Sequence, residues 1–108
     1  MSFVLSITKN SLKFEVSPLD LPDKMRWVNA FDVCSSLNNG WRLPTLDELK
    51  VMYTDLHVLG NGNFLNKMYW SSTRKEPNNV WGVFFKCGNA YCGSENYFCR
   101  VRAVRDLD

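Results

Sequence analysis

Apolar and polar positions alternate from the start of the chain. Phe3, Leu5 and Ile7 are separated by small or polar residues, and Leu12, Phe14 and Val16 by Lys13 and Glu15. A period of two predicts a half-buried β-hairpin. Pairing Ile7 with Leu12, Leu5 with Phe14 and Phe3 with Val16 closes it around Lys9 and Asn10 and brings six apolar side chains to one face. Pro18 and Pro22 interrupt the alternation, so SPLDLPDK reads as a connector.

The period changes between Trp27 and Asn39. Trp27, Ala30, Phe31, Cys34 and Leu37 recur at threes and fours, which predicts a helix with one buried stripe, stopped by Asn38, Asn39 and Gly40. A second, short helix is expected after Pro44. Thr45 and Glu48 have the spacing of a capping box, and Leu46, Leu49 and Met52 or Tyr53 supply the inward face. Thr54 to Lys67 has Gly60, Gly62, Asp55, Asn61, Asn63 and Asn66 but no sustained period, so it reads as a long surface connection tacked down by Leu56, Leu59, Phe64 and Leu65.

Strands are predicted for the rest: Met68 to Ser72; Val80 to Cys87, with Trp81, Val83, Phe85 and Cys87 on one face; and Tyr97 to Val104, with Cys99, Val101 and Ala103 inward and Arg100 and Arg102 outward. The expected class is α+β, two short helices packed on a mainly antiparallel twisted sheet. Its core should contain Leu5, Ile7, Phe14, Trp27, Phe31, Trp41, Leu49, Trp70, Trp81, Phe85, Val101 and Ala103.

A length of 108 residues fits a single domain spanning 1–108, with residues 1–17 as its hairpin. Hydrophobic and charged fractions of 45% and 22% argue against wholesale disorder or a coiled coil. A formal charge of +2 gives no strong nucleic-acid signal. No apolar run approaches the roughly 18 residues of a spanning helix, so no membrane insertion is expected. The opening residues carry no export pattern, which favours a cytoplasmic or phage-particle location. Nothing in the pattern fixes the oligomeric state.

Few side chains suggest chemistry. Cys34, Cys87, Cys92 and Cys99 allow three pairings, lack the close CxxC spacing of a zinc site and share no segment with His57, the sole histidine. No metal or cofactor is expected, and without an export pattern reduced thiols are favoured. Ser71, Ser72 and Thr73 have no base in sequence context and read as hydrogen bonders at a strand end. Arg42, Arg100, Arg102 and Arg105 read as partners of Asp47, Glu48 or Asp106.

The stretch from Arg74 to Tyr97 is different. Its Asn and Ser residues can adapt their hydrogen bonds, and its aromatic residues supply contact area at low entropy cost. The expected ligand-binding set is Lys75, Glu76, Asn78, Asn79, Trp81, Phe84, Lys86, Asn89, Tyr91, Glu95, Asn96 and Tyr97, forming one continuous patch with Trp81 beneath it. Glu76-Pro77-Asn78 matches the triplet of calcium-dependent lectins, but Val80-Trp81-Gly82-Val83 replaces the second set of oxygen ligands.

Trp27, Ala30 and Cys34, then Gly40-Trp41-Arg42-Leu43-Pro44-Thr45 with Glu48 and Leu49, Tyr69-Trp70-Ser71-Ser72-Thr73, Trp81 with Phe85 and Gly88, and Val101-Arg102-Ala103-Val104-Arg105 together resemble the Lcl C-terminal domain, also called DUF1566, over residues 25–105. That resemblance implies a C-type-lectin-like fold, related to formylglycine-generating enzymes and to variable proteins of diversity-generating retroelements. It also implies a Cys34–Cys99 disulfide with a local Cys87–Cys92 pair, and roles in adhesion, receptor recognition and carbohydrate binding. The expected function is non-catalytic recognition of a protein or glycan partner through residues 74–97. Alternatives are a structural or tip module of a phage or surface appendage, and a copper-dependent cysteine oxidoreductase of the formylglycine-generating kind, suggested by the spacing of Cys87 and Cys92.

Overall fold

The computed structural model describes residues 5–9 and 12–107. Its elements are β1 (Leu5–Lys9), β2 (Leu12–Val16), α1 (Trp27–Ser36), α2 (Leu46–Met52), a π-helical turn (Tyr53–His57), β3 (Met68–Glu76), β4 (Asn79–Phe84), β5 (Asn89–Ser94) and β6 (Val104–Asp106). They make an α+β fold with two antiparallel three-stranded sheets, ordered β1-β2-β6 and β3-β4-β5, where one sheet was expected.

The hairpin forms two residues away from the expected register. Leu5 faces Val16, Ile7 faces Phe14 and Lys9 faces Leu12; Phe3 and Asn10 lie outside the described residues. A two-residue shift leaves every side chain on its original face, so burial alone did not select between the two pairings. Phe14 and Val16 are fully buried and Leu5 partly so.

Helix α1 ends at Ser36, and Asn38, Asn39 and Gly40 follow with φ of 64°, 57° and 84°. These left-handed conformations suit Asn and Gly and stop the helix. Ala30 and Cys34 are buried, but Phe31 is 45% exposed, so the buried stripe is narrower than its periodicity implied. In α2 the capping box is complete: the Glu48 amide donates to the Thr45 hydroxyl, and the Thr45 amide donates to the Glu48 carboxylate. Arg42 donates to both Glu48 oxygens at 2.8 Å and also reaches Asp106.

The chain after α2 remains helical through His57, contrary to the expected connection. Leu56 is buried and Phe64 half-buried, whereas Leu59 and Leu65 stay exposed. Strand β3 runs on to Glu76 with two register shifts against β4. At the bulged segment the Ser72 amide donates to the Pro44 carbonyl, while the Leu46 amide donates to the Thr73 hydroxyl. Ser71 donates to the Trp81 carbonyl, so this trio serves as the hydrogen bonders its sequence suggested.

The final segment differs most from expectation. Residues 99–103 lie between the 17–25 connector and β3: Leu21 and Ser17 amides donate to Val101 and Ala103 carbonyls, while along β3 the Trp70 amide donates to the Arg100 carbonyl and the Arg100 amide to the Met68 carbonyl. With chain on both sides, Arg102 has no outward direction. It is fully buried, bonded to Asp20 at 2.9 Å and to the Ser17 and Asn63 carbonyls, with its guanidinium 4.1 Å from the Phe64 ring centre. Burial pulls its pKa down, and Asp20 works against that shift. Arg105 pairs with Glu15.

Two apolar clusters result. One joins Ile7, Phe14, Leu49, Met52, Tyr69 and Phe85; the other joins Ala30, Cys34, Trp70, Val80, Val101 and Ala103. Trp27, Trp41 and Trp81 are only partly buried.

Candidate functional site

Strand β5 separates the predicted binding residues. Asn79 pairs with Ser94, Trp81 with Cys92, Gly82 with Tyr91, and Phe84 with Asn89. The two ends of this ladder are about 17 Å apart at 3.3 Å per residue. Lys75, Glu76, Asn78, Asn79, Glu95 and Asn96 gather at the β3–β4 turn, where the Glu95 amide donates to the Asn78 carbonyl and Arg74 bonds both Glu95 and the Pro77 carbonyl. Phe84, Lys86 and Asn89 lie at the opposite end, around the β4–β5 turn. Trp81 shares a face with Val83, and Lys75 is 5.6 Å from its ring. Tyr91 points to the other face, because neighbouring strand positions alternate. The single patch supported by Trp81 is therefore divided into three places.

Tyr91 and Tyr97 do come together. They line an apolar cavity of about 270 Å³ with Met68, Trp70, Val80 and Gly93. The tyrosines are 48% and 64% exposed, while Trp70 and Val80 are buried at its base. Two glycines shape this face. A Cβ at Gly82 would lie 2.7 Å from the Tyr69 carbonyl oxygen, and one at Gly93 would lie 3.1 Å from the Tyr97 ring. Gly82 thus permits close β3–β4 approach, and Gly93 lets Tyr97 lie against the sheet.

Cys99 also lines the cavity. All four cysteines are free thiols, so neither disulfide implied by the resemblance is present. Cys92 is three residues into β5 from Asn89, about 10 Å, and Cys87 lies further off, within the β4–β5 turn. A disulfide requires Cα atoms within about 7 Å, so the sequence spacing does not become a spatial pair. Burial pushes the Cys34 thiol up to about 12 and Cys99 up to about 11, leaving both neutral and unreactive at pH 7.

His57 and Ser71 are each engaged in contacts of their own. His57 bonds Asn66 at 2.7 Å and packs against Phe85 and Phe64, while Ser71 bonds the Trp81 carbonyl and the Thr73 amide. Among the described residues there is no group of three or more His, Cys, Asp or Glu suited to a metal ion. None of the described helices is long and apolar enough to cross a membrane.

Met68, Trp70 and Cys99 lay outside the predicted binding set because they come from stretches read as core strands. The alternation of Ala90 and Cys92 with Tyr91 is the sequence signal for β5, a strand absent from the predicted set. No curated protein matched the chain. The profile of the Lcl C-terminal domain matches residues 8–105, so it includes β2 and reaches β6. The chain belongs to the Lcl C-terminal domain family.

Proposed function

We propose that this domain is a non-catalytic recognition module that binds a protein or glycan partner between Tyr91 and Tyr97. The observation carrying this reading is the apolar cavity whose buried base lies on β3 and β4 and whose rim consists of two exposed tyrosines. A rigid floor lowers the ordering cost of binding, and tyrosine offers an apolar surface with a polar tip. The C-type-lectin-like resemblance is consistent with recognition, but the proposed contact face is the middle of the β3–β4–β5 sheet, with the asparagine-rich turn at its border.

Glycan and protein arrays probed with the parent chain and with Tyr91→Ala and Tyr97→Ala test this proposal. An anchor contact of about 2 kcal/mol corresponds to roughly 30-fold weaker binding. The melting temperature should move little because both rings are largely exposed. Undiminished binding by the Tyr91→Ala/Tyr97→Ala double variant would place recognition elsewhere.

A further inference from the structure

A second cavity, about 670 Å³, adjoins the tyrosine pocket and shares Met68 and Cys99 with it. Lys24, Lys67 and Arg100 line this cavity, with Asp23 the sole carboxylate among the described residues of its wall. Among the described residues, neither Lys24 nor Lys67 is in an ion pair. The buried Arg100 Nε has no hydrogen-bond partner, and the nearest paired carboxylate, Asp20, is 4.0 Å away and already bonded by Arg102 and Tyr69. An apolar socket therefore sits beside a cavity with surplus positive charge.

Resting on the recognition reading above, we propose that the ligand is an acidic peptide segment. One apolar side chain enters the tyrosine pocket, and carboxylates two to four residues away meet Lys24, Lys67 and Arg100. The socket favours a side chain over a sugar ring. Trp70 donates its indole N–H to the Met25 carbonyl, and Met68, Val80 and Gly93 offer no polar side-chain groups. A sugar's hydroxyls would find side-chain partners only at the tyrosine tips on the rim and none at the apolar base, whereas an aliphatic or aromatic side chain loses none. Alternate residues of an extended peptide are about 7 Å apart, a reach suited to adjoining cavities. Opposite charge at the second cavity supplies orientation and a salt-dependent encounter rate.

Arrayed eight-residue peptides provide the test. Each contains Leu, Phe or Trp followed within four residues by two Glu, with matched peptides in which Gln replaces Glu or Ser replaces the apolar residue. Fluorescence anisotropy should show at least tenfold tighter binding for the acidic apolar peptides. Lys24→Glu/Lys67→Glu should reduce that binding at least tenfold, as should Tyr97→Ala, and added salt should weaken the parent interaction. Circular dichroism melts identify any variant that fails to fold, and Lys67→Gln then supplies a milder charge test. Equal binding of Glu and Gln peptides would overturn the acidic preference. Tyrosine-dependent glycan binding with no peptide binding would overturn this inference and retain the recognition reading. No tyrosine-dependent binding on either array would overturn both.

Discussion

Replacing Asp20 with Ala should destabilise the fold far more than its place in a proline-rich connector suggests. One Asp20 oxygen accepts Arg102 Nε at 2.9 Å and the other accepts the Tyr69 hydroxyl at 2.6 Å. Arg102 is fully buried, so its charge has no water to replace the lost carboxylate. Breaking one side of such a pair costs about 3 to 5 kcal/mol, and losing the tyrosine's acceptor favours the upper part of that range. A total stability of about 5 to 15 kcal/mol is usual. With a urea slope near 2 kcal/mol/M, a 4 kcal/mol loss moves the midpoint by about 2 M. Equilibrium urea unfolding at pH 7 measures this shift. The Asp20→Asn/Arg102→Met variant should recover about half the loss because it removes the buried charge together with its partner. A midpoint for Asp20→Ala within about 0.5 M of the parent, corresponding to about 1 kcal/mol, would refute the charge-pair argument, as would a double variant no more stable than Asp20→Ala.

Gly82→Ala should cost about 1 to 3 kcal/mol because its new Cβ meets backbone, the Tyr69 carbonyl, and cannot move it without disturbing β3; thermal unfolding measures the loss. A thiol reagent at pH 8 should label Cys87 first and Cys92 more slowly, leaving Cys34 and Cys99 until the chain unfolds. Folded Cys34 and Cys99 have raised pKa values, so their contribution is fully present below the ordinary thiol value of 9.0 and declines as pH rises towards about 11 to 12. Urea midpoints measured from pH 8 to 11 should show less decline in Cys34→Ala than in the parent after correction for its lower starting stability.

Local motifs with paired chemical requirements were the most legible parts of the sequence. Thr45 and Glu48 satisfy one another's backbone donors, so their spacing located α2 without help from distant residues. Alternation identified the faces of the β1–β2 hairpin but left its register degenerate under a two-residue shift. It also sent Arg102 outward, because alternation assumes that one side of a strand meets solvent; the 17–25 connector and β3 remove that choice. Tyr91 and Tyr97 were legible as exposed aromatics. Their socket was not, because its base comes from Met68 and Trp70 on β3 and its wall from Cys99.

The placement of β6 also affects the order in which the chain can fold. Val104–Asp106 completes the β1-β2-β6 sheet by pairing with residues about 90 positions earlier in sequence, while residues 99–103 join the connector to β3 just before it. Contacts of such long sequence separation slow folding because loop-closure entropy must be met before their binding energy is realised. During synthesis, β1, β2 and the connector emerge long before residues 99–106. The β6-facing edge of β2 and the connector must wait unpaired until residues 99–106 emerge, so completion of this part of the fold is gated by a segment far along the chain.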